Sequence, residues 1–302
     1  MNAAPTAHAR PSVLPYLAIA CGVFALGCSG LFVRWANAPG PVTGFYRMGI
    51  ASLALLPLAL RQGGRRSWPK WGVLFAVLGG ASLALDIALW STAIFMTKVA
   101  NATLFANTAP LWVALAGMAF FGERLPKLFW GGLAITLSGG ALVAGTDFLI
   151  HPTIGWGDML SLLAGVFYAG YYLCTQAGRR HLASARYVWL AGAVSAACLL
   201  IICLAAGLPL TGYPPQSYLA FAASALITQA AGYLAVGYAL GHLPASIVSP
   251  TMTGQPVVSA LLAIPLLGET LTPIQWIGGA VVLTGIYLIN RAHRDHSPDA
   301  AT

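Results

Sequence analysis

The sequence predicts an all-α polytopic membrane protein with ten transmembrane helices, arranged as two inverted five-helix repeats around a central cavity. Three observations carry this reading. First, 58% of the 302 residues are hydrophobic and only 7% are charged, with a mean hydropathy of +0.78. A soluble domain uses about 25% charged residues to cover its surface. Second, the apolar residues form continuous runs of roughly 20, the length of a membrane-spanning helix, and not the alternation of a transmembrane barrel strand. Third, the stretch from Ile94 to Val143 recurs without a gap between Leu240 and Ile289. A shift of 146 positions puts Pro110 on Pro256, Gly122-Glu123 on Gly268-Glu269, Trp130 on Trp276 and Gly139 on Gly285. A duplicated membrane chain places its working site at the seam between halves.

The elements follow in order. A polar tail, 1–13, precedes the segment 14–35, which shows no small-residue cleavage site and reads as a spanning helix rather than a secretory leader. The turn Asn37–Pro41 leads into 41–60, and Gly63–Pro69 into 71–94. Segments 99–121 and 127–145 complete the first half, 14–146. His151–Gly157 separates the halves. The second half, 155–290, contains 156–177, 187–206, 216–240 (after the turn Gly212–Pro215), 245–267 and 273–290, followed by a tail, 291–302. The 34 glycines and 19 prolines suit closely packed membrane helices. Trp68, Trp71, Trp130, Trp156 and Trp276 lie at segment ends, where tryptophan anchors a helix at the bilayer surface.

The net charge of +8 does not indicate nucleic-acid binding, because the basic residues sit in short connections. With the N-terminus in the cytoplasm, Arg61, Arg65, Arg66, Lys70, Arg124, Lys127, Arg179, Arg180, Arg186 and both basic tails lie inside, against Lys98 in the outer loops. This positive-inside asymmetry places both termini in the cytoplasm. Five helices per half then put Gly122-Glu123 inside and Gly268-Glu269 outside, so the halves run in opposite senses. A weaker match joins Gly22-Val23-Phe24 and Gly27 to Gly165-Val166-Phe167 and Gly170. The five cysteines fall in apolar runs without metal-ligand spacing and read as packing residues.

Candidate functional residues are the polar groups that hydrocarbon disfavours. Asp86 is the one carboxylate deep in a predicted helix, and it must face a cavity or a partner. Ser82, Asp86 and Trp90 share its face. Either they form a cavity wall that meets an ammonium or a proton, or Asp86 is a hydrogen-bonded lock between helices. Its repeat mate is Gly232. Arg47, beside Tyr46, either holds a substrate carboxylate or reaches to the headgroups; for Arg34, nearer a helix end, the headgroups are favoured. Segments 99–121 and 245–267 pair a proline with polar faces, Asn101, Phe105, Thr108 and Trp112 in one, Thr251, Gln255 and Ser259 in the other. Proline frees a carbonyl that can line a cavity; the competing reading is hydrogen bonding between helices. Gln229 and Tyr233, with Tyr168 and Tyr172, sit well inside their runs and form either an aromatic pocket or interior packing. Close helix contacts are expected at Gly27/Gly30, Gly165/Gly170 and Gly237/Gly241.

At Pro110, Gly122-Glu123-Arg124 and Gly131/Gly132 in one half, at Pro256, Gly268-Glu269 and Gly278/Gly279 in the other, and at Phe45-Tyr46-Arg47, the chain resembles the EamA family of the drug/metabolite transporter superfamily. The resemblance covers about residues 14–290. It implies a basket of helices around a cavity, with the fifth and tenth peripheral, and transport of small metabolites, often amino-acid export. The aromatic interior further resembles aromatic amino-acid exporters of the YddG type. The second half departs from the pattern with Thr270 after Glu269.

No phosphate loop, HExxH, GxSxG or selectivity-filter run is present, which leaves no positive sign of an ATPase, an enzyme or a channel. The expectation is a secondary transporter of the cytoplasmic membrane that works by alternating access as a monomer, with a small-molecule substrate and the lipid bilayer as partners and no cofactor, metal or nucleic acid. The favoured substrate is an amino acid with a large apolar or aromatic side chain. The rivals are a carrier of drug-like or sugar-nucleotide-like molecules and a non-transport sensor or scaffold.

Overall fold

The computed structural model describes residues 13–61, 68–97, 99–144, 155–268 and 270–296. The tails, Lys98 and Glu269 lie outside them, as do the side chains of residues such as Asn101. Among the described residues every regular element is helical. Eight rods are long and apolar enough to cross a membrane: α1 (Leu14–Ala36), α2 (Gly40–Arg61), α3 (Lys70–Ala93), α4 (Ala102–Phe121), α7 (Ser184–Ala205), α8 (Pro215–Ala239), α9 (Ala245–Leu266) and α10 (Pro273–His293). Two more helices pack with them. One is α5 (Lys127–Ala144), the other α6 (Trp156–Arg179). The latter is more polar because it is central: Tyr171, Tyr172, Thr175 and Ser161 are all within 1% of full burial. Large apolar side chains such as Leu53, Phe120 and Leu219 remain exposed on the outer faces, as lipid contact requires. Trp68, Trp71, Trp156 and Trp276 are exposed, whereas Trp130 leans edge-on against Phe129.

The inverted repeat is written into the α5–α10 crossing. A Cβ on Gly132 would meet the Gly285 carbonyl at 3.1 Å, and one on Gly139 the Gly278 carbonyl at 2.9 Å. Gly278 and Gly285 are the repeat mates of Gly132 and Gly139, so each pair is the image of the other. Reciprocal contacts of this kind arise only about a two-fold axis, with the two helices antiparallel. Glycine here lets backbones touch, which is how membrane helices gain dispersion energy where lipid offers no hydrophobic drive.

The same register sets the prolines. Helix α4 is interrupted at Asn107–Thr108 and resumes as Ala109–Phe121; α9 is interrupted at Thr253–Gly254 and resumes as Gln255–Leu267. Pro110 and Pro256 therefore occupy the first turn of a new segment, where a missing N–H costs nothing, and not a helix interior. Gly122 and Gly268 close the two segments at the same φ of +67°, a left-handed cap that favours glycine. Helix α8 departs from its mate α3: Ser224–Gly232 is a π-helical stretch, whereas α3 is regular over its 24 residues.

One end of the bundle is bound together by side chains. The buried Arg186 donates from Nε to the Ala59 carbonyl at 3.2 Å and lies 4.9 Å over the Trp68 ring. Arg186→Ala is expected to remove about 2 kcal/mol, a charged hydrogen bond together with a cation–π contact. A thermal melt in detergent should show a midpoint lower by roughly 3 °C.

Candidate substrate cavity

A cavity of about 750 Å³ lies between the halves, lined by residues of α1, α2, α3, α4, α5, α6, α8 and α9. This falls within the roughly 300–1,000 Å³ range of small-molecule sites. Its walls reach from Arg34, Gly40, Ile94 and Val143, all at helix termini on one side of the bundle, down to Thr228, Tyr172 and Tyr233 at mid-depth. Beyond that floor Val236, Leu240 and Val248 are buried in the core.

Helix geometry explains which side chains arrive there. Asp86 and Trp90, one turn apart on α3, both line the cavity, as do Arg47 on α2 and Gln255 on α9. Asp86 is half-buried and opens onto the space, close enough to Arg47 to feel its charge, with no ion pair between them among the described residues. Arg47 is aimed by Ser29, whose hydroxyl accepts from Nη1 at 3.2 Å; its buried Nε has no partner. The floor is aromatic. Tyr172 donates to the Tyr168 hydroxyl at 3.0 Å, and Tyr171 packs edge-on against Tyr233 at 5.4 Å. Gln255 neighbours Tyr168.

Other candidate residues lie elsewhere. Tyr46, next to Arg47 but about 100° around the helix, points away. It donates to the Leu210 carbonyl at 2.6 Å and stacks on Phe221 at 4.7 Å. Ser82 shares the Asp86 face one turn along α3 but is not part of the lining; it packs on α6, where it would meet a Cβ on Gly170 at 3.2 Å. Thr108 and Thr251 return their hydroxyls to their own helices, on Phe105 and Ile247 carbonyls. The Thr108 hydroxyl also accepts from Trp112, and that of Thr251 from Asn290. Phe105 is half-buried outside the lining. Gln229 is 2% exposed within the π-helical stretch, with Oε1 unpartnered. Conversely, Thr43, Asn107 and Thr228 line the cavity without having stood out, because short polar side chains near helix breaks carry no signal in one sequence. Arg34 lines the mouth too, rather than only reaching to headgroups.

The expected close contacts occur at most of the glycines. Gly27 seats α1 on Val258, Gly165 seats α6 on the Ala106 carbonyl, and Gly237 meets Val188; Gly241 faces the Arg179 guanidinium instead.

Both halves of the chain, residues 13–145 and 155–291, match the sequence profile of the EamA-like transporter family. The chain belongs to that family. The transporter is similar to a probable terminal-alkyne amino-acid exporter of Streptantibioticus cattleyicolor, 27% identical over 266 residues, 85% of this chain and 86% of that one. It is also similar to the inner membrane transporter YedA of Escherichia coli, itself uncharacterised, at 29% over 195 residues, covering 62% of this chain and 60% of that one. A third relative is the pseudopaline exporter CntI of Pseudomonas aeruginosa, 30% identical over 150 residues, 49% of this chain and 51% of that one. A crystal structure 17% identical in sequence shares the fold over 93% of this chain and 98% of its own, with a TM-score of 0.78. The protein is thus a membrane transporter of small metabolites.

Proposed function

We propose that this transporter exports amino acids with large apolar or aromatic side chains, by alternating access across the cytoplasmic membrane, with both termini in the cytoplasm. One observation carries the reading. A single cavity sets a cation, Arg47, and a carboxylate, Asp86, beside Trp90, Tyr168, Tyr172 and Tyr233. A zwitterion meets both charges, its carboxylate bidentate on the guanidinium, and its side chain lies on the rings. The export named for the Streptantibioticus relative points the same way. In this orientation the mouth faces outward and the floor seals the cytoplasmic side.

Counterflow in proteoliposomes with an amino-acid panel tests this. Phenylalanine, tryptophan and leucine are expected to exchange, and nucleotide sugars are not; exchange of nucleotide sugars alone would overturn the reading. Arg47→Ala is expected to lower kcat/KM at least about tenfold, with Arg47→Lys intermediate because an ammonium lacks the planar fork. A larger metabolite is the second reading. The cavity volume favours it, as does similarity to an exporter of a different named substrate, and the same panel decides.

A further inference from the structure

The end of the bundle opposite the cavity mouth is held by the last turn of α6, two of whose bonds reach the facing ends of α8 and α9. Arg179 donates from Nε to the Gly237 carbonyl at 2.7 Å and from Nη1 to the Leu182 carbonyl. Gln176, three residues earlier, accepts the Ala245 N–H at 2.7 Å, a buried bond. These are the groups that helix ends leave unsatisfied: carbonyls in the last turn of α8 and just beyond α6, and the first N–H of α9. A guanidinium at carbonyl ends also gains from the helix dipoles. Charged bonds of this kind are strong where water is excluded.

The repeat shows how one-sided the arrangement is. The alignment that lays Gly22 on Gly165 and Gly27 on Gly170 lays Val33 on Gln176 and Ala36 on Arg179. The mouth end of α1 thus presents apolar side chains where the closed end of α6 presents a double cap. Gly241 belongs to the same design, because a Cβ there would come within 2.6 Å of Arg179 Nη2.

We propose that Gln176 and Arg179 are the latch of the inner gate. They hold the α8–α9 hairpin against α6 while the mouth is open, and both bonds break each time the cavity opens to the opposite face. This rests on the transporter reading but not on any particular substrate.

The test uses the full chain with its five cysteines replaced by alanine and Ser259→Cys in the cavity wall as reporter. Intact cells are treated with a membrane-impermeant maleimide and no substrate. The parent reporter is expected to label from outside; if it labels only in inside-out vesicles, the orientation is reversed and the comparison is made there. Arg179→Ala, Gln176→Leu and Gly241→Ala are each expected to slow labelling roughly threefold or more, as the mouth-closed state gains population. Gln176→Glu keeps an acceptor oxygen and should label at the parent rate. Monodisperse variants that label like the parent would overturn the latch. Should Arg179→Ala not fold, the other two decide. Failure of all three to fold also overturns it, since a latch that opens in every cycle is dispensable for folding. Substrate-panel results leave this outcome untouched.

Discussion

Replacing Asp86 with asparagine is expected to lower kcat/KM for amino-acid flux by roughly a hundredfold, the cost of removing one partner from a desolvated charge pair. The change is nearly isosteric. Asp86 forms no ion pair with the chain among the described residues and opens onto the cavity, so the variant should fold and melt like the parent. Loss of flux then reports lost ammonium recognition. Deaminated analogues sharpen the test: an arylpropionate, with its carboxylate but no ammonium, should compete equally well in parent and variant. The same protein separates binding from energy coupling. If Asp86→Asn keeps the full rate and the same response to a pH gradient, Asp86 neither binds the ammonium nor carries the proton. If a residual rate persists but no longer responds to the gradient, Asp86 is the coupling group.

Gly285→Ala is expected to be the most damaging single methyl group in the chain. Its Cβ would fall 2.2 Å from Thr136 Oγ1, 2.6 Å from the Thr136 nitrogen and 2.7 Å from the Gly132 carbonyl. Two of these neighbours are backbone, so no rotamer change relieves the clash and the helices must separate along the seam. Overpacking of this kind costs about 3 kcal/mol, which corresponds to a midpoint lower by roughly 5 °C in a detergent melt. Gly131→Ala is the control, one residue from Gly132 but with nothing within 4 Å of its Cβ. Equal midpoints for the two variants would mean that α5 and α10 do not meet as described.

The fold was legible because its determinants are local and repeated. Glycine at 132, 139, 278 and 285 marks where backbones touch, and apolar length marks where helices cross. Depth was less legible than facing. Helical spacing put Ser82, Asp86 and Trp90 on one stripe, yet only Asp86 and Trp90 line the cavity, because α6 packs over Ser82 at Gly170 and a stripe says nothing about where a neighbouring helix covers it. Tyr46 failed for the complementary reason: adjacency in sequence to Arg47 means a different face of the helix. Gln229 lies in a π-helical stretch, whose extra residue per turn shifts the phase of everything nearby, and a 3.6-residue template has no way to register that. The helix breaks at Asn107 and Thr253 were signalled by Pro110 and Pro256, but two to three residues late. Proline marks the start of the new segment and not the point of rupture. Arg179 read only as one of the basic residues of a short connection and Gln176 carried no signal, and only the folded chain shows which helix ends they cap.

The glycine seam has a consequence for ancestry and for engineering. Each half carries both faces of one self-complementary joint, so two free-standing copies of a half could assemble only if one were threaded into the bilayer upside down relative to the other. Fusion into one polypeptide guarantees that one-up, one-down pairing. It also releases the twins from having to be identical, and a carboxylate can then stand in one where the other keeps a bare glycine, Asp86 against Gly232.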